Sequence, residues 1–242
     1  SSTAELRGET EVLQLSELKL FPRSKPFDLS LRSGEVTGVI GLLGSGKTEI
    51  AEALFGASKV KPEQMTLKGD PYRASHPSQA INRGVYLVPE DRAKQSMFPG
   101  WSIARTVTLP FLETIRRGLV LDFGQENEVG QEVIDDLGVV AQSPTQPVDS
   151  LSGGNQQKVV VGKWLHGSPE VLILDEPFRG VDIGARRTIS RKASALAAGG
   201  KAVVVFTSEV DELLEVADRV IVLVDGEPRL DTYLSQTSRE VI

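Results

Sequence analysis

Gly41-Leu42-Leu43-Gly44-Ser45-Gly46-Lys47-Thr48 sets glycines, an ammonium and a hydroxyl at the spacing G-x-x-x-x-G-K-[S/T]. Glycines let the backbone curl until several N–H groups converge on phosphate oxygens, and a helix starting near Lys47 would aim its positive dipole end at them. Lys47 adds a full positive charge. Thr48 offers a hydroxyl to a Mg²⁺ bridging phosphate oxygens, because this hard ion takes oxygen ligands. Taken alone, the run also fits a glycine-rich turn carrying a solvated lysine. A second constellation argues against that. Val171-Leu172-Ile173-Leu174-Asp175-Glu176 is an apolar run ending in two acids, with Asp175 suited to a Mg²⁺ shell and Glu176 to orienting and deprotonating a water.

Both constellations need strands to aim them. Val36, Val39 and Ile40 precede the glycine loop and Ile50, Ala51, Ala53 and Leu54 follow at helical spacing, so a strand-loop-helix unit is predicted. The run 171–174 reads as a buried parallel strand whose carboxyl end carries the acids, where ligands bind in open α/β sheets. Further strands are expected at Val12–Leu15, Leu29–Leu31, Val85–Val88, 202–206 and 220–224. Helices are expected to Phe55, near Ser102–Leu109, over Gln125–Leu137, from Ser152 to about Leu165, and over 185–197 and 211–217. Between Gln95 and Val148 the pattern turns helical and is punctuated by Pro99, Pro110, Pro144 and Pro147, which predicts an inserted helical subdomain at about 95–148.

The chain has 242 residues, 40% hydrophobic and 25% charged, enough for one substantial core. Its net charge of −6, from 27 Lys+Arg against 33 Asp+Glu, speaks against a nucleic-acid partner. The densest basic spots, Arg116-Arg117 and Arg186-Arg187, read as solvated helix faces. There is no cysteine, so disulfides and thiolate metal sites are excluded. The longest apolar runs, Ala202–Phe206 and Val220–Val224, are strand-length, so any membrane role is expected to be peripheral. The polar opening, which lacks Met, suggests a linker over 1–10 ahead of a domain at 11–242.

Leu151-Ser152-Gly153-Gly154-Asn155-Gln156-Gln157, ahead of Val171–Glu176, resembles the signature motif of the ATP-binding-cassette ATPases. Val88-Pro89-Glu90-Asp91-Arg92, Asp175-Glu176-Pro177-Phe178-Arg179-Gly180-Val181-Asp182 and Thr207-Ser208-Glu209 narrow the resemblance to the second cassette of ribose- and galactose-type sugar importers. The resemblance implies an α/β, P-loop NTPase (RecA-like) fold: a parallel-sheet core, an N-terminal antiparallel β subdomain and the helical insert. It also implies ATP and Mg²⁺, with contacts from Gly41 to Glu49, from Thr48 and Asp175 to the metal, and from Ser152, Gly153 and Gly154 to the γ-phosphate of an opposite cassette. Gly180-Val181-Asp182 would touch that partner cassette, the first half of the same native chain. Gln95–Leu112 would face membrane-spanning permease subunits served by a sugar-binding protein, with the chain peripheral on the cytoplasmic side. Phe21 matches the adenine-stacking aromatic of the family, with Phe27 as its rival.

Three positions depart from the family. Glu90 stands where Gln is usual, Ser208 where a switch His follows the strand after the catalytic carboxylate, and Glu49 where a hydroxyl residue is common. The two histidines, His76 and His166, are far from Ser208 in sequence and read as surface or helix-end residues. A lost donor to the reacting phosphate costs on the order of 10²–10³ in rate. Glu90 can still bind Mg²⁺ but brings negative charge toward phosphates. The expectation is a cassette that binds ATP, hydrolyses it slowly, and completes a faster site on its partner, although Glu176 keeps a general base available. A soluble cassette ATPase unrelated to transport and a regulatory nucleotide-binding module stay open.

Overall fold

The computed structural model describes residues 10–58, 63–117, 120–239 and 241–242, so the expected linker lies outside the described residues except for Thr10. In chain order the strands and helices are β1 (Glu11–Leu18), β2 (Phe27–Arg32), β3 (Val36–Ile40), α1 (Lys47–Phe55), β4 (Gln64–Leu67), β5 (Asp70–Pro71), α2 (Pro77–Asn82) and β6 (Val85–Val88). Next come α3 (Arg92–Gln95), α4 (Ile103–Thr108), β7 (Arg116–Arg117), β8 (Val120–Leu121), α5 (Phe123–Leu137) and α6 (Gly153–His166). The chain closes with β9 (Val171–Asp175), α7 (Ile183–Ala198), β10 (Ala202–Thr207), α8 (Val210–Leu214), β11 (Arg219–Val224) and β12 (Glu227–Tyr233).

Two compact units emerge. The first holds the chain up to Leu87 with Pro169–Pro177 and Ser190–Ile242; the second holds Val88–Ser168 and Phe178–Ile189. The main sheet runs in the order β12-β11-β3-β10-β9-β6. β3 pairs in parallel with β10 and β11, β10 pairs in parallel with β9, and β12 closes one edge antiparallel to β11. Every residue of β3, β9 and β10 is buried, which is why these strands read as unbroken apolar runs rather than alternating ones.

A four-stranded sheet, β2-β1-β4-β5, is antiparallel throughout. Leu13 and Leu15 of β1 sit beside Leu31 and Leu29 of β2, and Leu13 also faces Leu67 of β4. All five leucines are buried, so this sheet presents one apolar face.

In the second unit α4, α5 and α6 pack on one another. α5 buries Glu126, Val129, Gly130, Val133, Ile134 and Leu137, a stripe at helical spacing. Asp122 caps it by accepting from the N–H groups of Gly124 and Gln125, and Gly138 ends it in a left-handed turn.

Two expectations fail. Arg116-Arg117 is not a helix face: the chain passes Pro110 in a 3₁₀ turn over Leu109–Ile115, leaves helical geometry at Arg116, and pairs with β8. The helix expected over 211–217 ends at Leu214, because the Asp218 amide already bonds the Val36 carbonyl and commits the chain to β11. β4, β5, α2 and β12 had no expectation at all.

Candidate nucleotide site

Strand register brings the separate motifs of the first unit to one edge. Thr207 lies opposite Ile40, and Phe206 opposite Asp175, so the chain emerges from β3, β9 and β10 at the same level. Gly41, Glu176 and Ser208 are the next residues of those strands. The Glu176 amide then donates to the Phe206 carbonyl at 2.9 Å, continuing the pairing past Asp175.

Glu176 adopts φ +46°, a left-handed conformation that a residue with a Cβ holds at a cost of about 1–3 kcal/mol. Its side chain is thereby fixed among three partners. The Ser208 hydroxyl donates to Glu176 Oε1 at 2.6 Å, the Ser208 amide donates to Oε2 at 3.4 Å, and Lys47 Nζ lies 3.6 Å from Oε1. Lys47 is 6% exposed; its ammonium donates to the Gly41 carbonyl, to the Leu42 carbonyl at 3.4 Å and to Ser208 Oγ at 3.2 Å.

The curl of the loop depends on its glycines. A Cβ at Gly41 would meet Ser45 Oγ at 2.5 Å and the Leu223 carbonyl at 2.6 Å, so the curl closes only around a glycine. Gly46 takes the N-cap of α1 at φ +106°, and no side chain caps that helix, unlike α4, α5 and α6. The first-turn N–H groups of α1 therefore have no side-chain cap and lie beside a buried lysine, an arrangement able to receive an anion. Thr48 and Glu49 are half-buried in that turn, while Leu42, Leu43 and Gly44 form an exposed crest. Asp175 is 2% exposed at the end of β9, and it and the Thr48 hydroxyl are the oxygen donors suited to Mg²⁺.

Phe21 is half-buried against the loop. A Cβ at Gly226 would meet its ring at 2.6 Å, one at Gly46 would have it at 3.6 Å, and the Gly226 amide bonds the Ser45 carbonyl. Phe27 instead lines a cavity of about 190 Å³ with Val39, Ile50 and Leu223.

The remaining candidates belong to the second unit. Glu90 forms an ion pair with Arg179, a residue given no role from sequence; the signal that could have found it was a lone cation following the paired acids while a carboxylate replaced an amide at 90. Ser152 caps α6, accepting from the Asn155 amide, with Gly153 and Gly154 in its first turn. Asp182 caps α7 through the Ala185 amide at 2.8 Å, and its Oδ2 fills the space a Cβ at Gly154 would take, 2.6 Å away. Backbone donors, first that of Ala185, hold the Asp182 carboxyl below the usual carboxylate range. His76 precedes α2 and His166 ends α6. Among the described residues no helix is long and apolar enough to cross a membrane.

Sequence comparison matches residues 24–179 to the family described as ABC transporter. The chain is 44% identical over 197 residues to a ribose import ATP-binding protein of Geobacillus kaustophilus (strain HTA426), covering 81% of this chain and 40% of that protein. It is 43% identical over 203 residues to a xylose import ATP-binding protein of Ralstonia nicotianae (strain ATCC BAA-1114 / GMI1000), covering 84% and 40%. The chain thus spans about two fifths of the length of these curated relatives. A nucleotide-free ATP-binding cassette from an ABC transporter superposes with a TM-score of 0.75 at 19% identity, over 93% of this chain and 92% of that one, which establishes a shared fold. A glycine loop, an acid-tipped strand and a capped Ser-Gly-Gly helix in this order, with that match across most of the chain, make it a member of the ABC transporter family.

Proposed function

We propose that this chain is the nucleotide-binding cassette of a sugar importer, that it binds ATP with Mg²⁺ in the loop 41–48, and that its own site hydrolyses slowly. The observation that carries this reading is the Lys47–Ser208–Glu176 cluster, in which a small hydroxyl stands where the family uses an imidazole. Sugar import is supported by the names of the relatives, which import ribose and xylose. Their greater length supports a second cassette in the same native protein, with permease subunits and a sugar-binding protein as further partners at the cytoplasmic face of the membrane.

In this reading Lys47 leaves the Gly41 and Leu42 carbonyls for the β- and γ-phosphates, and the α1 amides orient the phosphate tail. Phe21 stacks on the adenine. Thr48 and Asp175 hold Mg²⁺, with Glu90 a further oxygen donor; the bound ion neutralises charge on the phosphate oxygens. Glu176 Oε1 takes the proton of the attacking water once the Ser208 hydroxyl releases it. A serine hydroxyl can donate only one hydrogen bond, so while it donates to Glu176 it offers nothing to the phosphate. Ser152–Gly154 bind the γ-phosphate of the partner cassette, so that closure transmits binding energy to the permease and hydrolysis releases it.

Single-turnover measurement in the full-length protein tests the weak-site reading. Lys47→Ala is expected to cut total turnover, while Glu176→Gln leaves most of it intact; if Glu176→Gln alone removes most turnover, this site is the main hydrolytic one and the reading fails.

A further inference from the structure

Lys163, near the end of α6, is 4% exposed, and burying an ammonium away from water costs free energy unless its donors are met. No carboxylate pairs with it among the described residues. Its contacts are the Ser96 carbonyl at 3.0 Å and the face of the Trp164 ring, 5.0 Å from the centroid. A methionine would fill much the same space without the charge, so packing alone does not account for a lysine here. The ammonium holds the start of a turn, and no other donor among the described residues reaches the Ser96 carbonyl. Further along, the same segment is tied again. The Gly100 amide donates to Asp149 Oδ2 at 3.1 Å, the Trp101 carbonyl accepts from the Val148 amide at 2.9 Å, and the Trp101 amide closes on the Phe98 carbonyl at 3.1 Å. Between these two ties Phe98 is 49% exposed and lies on the Trp101 ring, centroids 4.7 Å apart, with the Arg105 guanidinium 5.3 Å from that ring. Exposed aromatics beside an arginine have the composition of a protein contact.

We propose that Lys163 is a positioning residue: by holding the Ser96 carbonyl it fixes the Phe98–Trp101 turn to α6, so that the turn meets a permease subunit in one arrangement. A turn held in advance loses less freedom on binding than one ordered at the moment of contact. The place of the tie matters as much as its strength. α6 begins at the Ser152 cap, and Lys163 stands roughly 16 Å further along its axis at 1.5 Å per residue, so one continuous helix joins the held turn to Ser152, Gly153 and Gly154 within the same unit. A displacement of the turn is then passed along that helix rather than absorbed in a loose loop. The burial cost at Lys163 is thereby explained as the cost of a specific bond to the backbone. The inference rests on the proposed reading that a permease is the partner and that Gln95–Leu112 faces it.

The test compares ATP turnover of the full-length protein alone and in nanodiscs with the permease subunits that co-purify with it, alongside amide hydrogen exchange of the protein alone. Lys163→Met is expected to leave basal turnover within about twofold of the parent and to lower the permease-stimulated part by roughly fivefold. Exchange of the Gly100 and Trp101 amides should speed up by roughly tenfold while Tm does not fall, a split that a merely structural role would not produce. Lys163→Arg, which keeps a charged donor, should recover most of the stimulation. The proposal is overturned if Lys163→Met is stimulated as the parent is, if exchange at Gly100 and Trp101 is unchanged, or if Lys163→Arg is as impaired as Lys163→Met. A lower Tm in Lys163→Met, with stimulation lost only in proportion to the folded protein, assigns Lys163 to stability alone and overturns it too. Failure of the permease reading looks different: Phe98→Ala and Trp101→Ala would be stimulated as the parent is while exchange still rises in Lys163→Met, and the inference would fall with that reading.

Discussion

Ser208 Oγ stands 2.6 Å from Glu176 Oε1 and 3.2 Å from Lys47 Nζ, so this one hydroxyl both holds the Glu176 carboxylate and receives the Lys47 ammonium. An imidazole at that place reaches further and offers a ring N–H toward the phosphate while still touching the carboxylate. Ser208→His is accordingly expected to raise turnover at this site by about tenfold or more, read in single turnover; an unchanged rate would mean that the missing donor is not limiting. Ser208→Ala removes both the hydroxyl bond to Glu176 and the acceptor for Lys47, while the direct Lys47–Glu176 contact should survive. Position 41 admits no such freedom. Any side chain there collides with Ser45 and with the β11 backbone, so Gly41→Ala should abolish Mg-ATP binding in equilibrium titration.

Among the elements, α6 carries an unusual load. Ser152 caps its start, while near its end Lys163 is 4% exposed, with the Ser96 carbonyl at 3.0 Å as its hydrogen-bond acceptor and the Trp164 ring at 5.0 Å. Burial pushes the Lys163 ammonium down from 10.5 to about 8. Between those values the unfolded chain binds more protons than the folded one, so this group makes stability rise as pH climbs from about 8 to 10.5 and costs its full amount below about 8. That cost is about 3 kcal/mol at most, at roughly 1.4 kcal/mol per pH unit. Lys163→Met keeps the stem and drops the charge. It should flatten this segment of the profile and stabilise the protein near neutral pH by about 1 kcal/mol or more, net of the hydrogen bond lost at Ser96, as measured by urea unfolding at pH 7 and 10. α1 shows the opposite arrangement, since no side chain caps its start. A helix end kept free of a side-chain cap is a local weakness that a ligand repairs.

For the whole molecule, that repair makes nucleotide binding and folding one linked equilibrium. At a concentration about a hundred times Kd, Mg-ATP should stabilise the fold by about 2.7 kcal/mol, which raises Tm by several degrees for a domain of this size. The shift should vanish in Lys47→Ala. It should persist in Glu176→Gln, because that change spares the binding residues and stops only proton transfer. The division into two units bears on the same point. Lys47, Asp175, Glu176 and Ser208 all lie in the first unit, whereas Glu90, Ser152 and Asp182 lie in the second.

The loop 41–48 leading into a helix, the strand ending in the acids at 175–176 and the Ser152-capped helix start were legible from the residues, because each is a contiguous stretch whose local pattern fixes its backbone. β3, β9, β10, α1, α5, α6 and α7 were legible for the same reason, since unbroken apolar runs and helical stripes are local patterns. β12 was not. Its sequence, Glu227-Pro228-Arg229-Leu230-Asp231, is that of an edge strand with one side to solvent, and only pairing with β11 makes it a strand. The hairpin at Arg116 likewise depends on a partner strand. Register, not composition, brought Ser208 onto Glu176 and Lys47, and only folding set Arg179 on Glu90 across a separation of 89 positions. Contiguous residues dictated which groups could handle a phosphate, whereas the order and register of parallel strands decided which of them meet, because such pairings link segments far apart in the chain that no local pattern specifies.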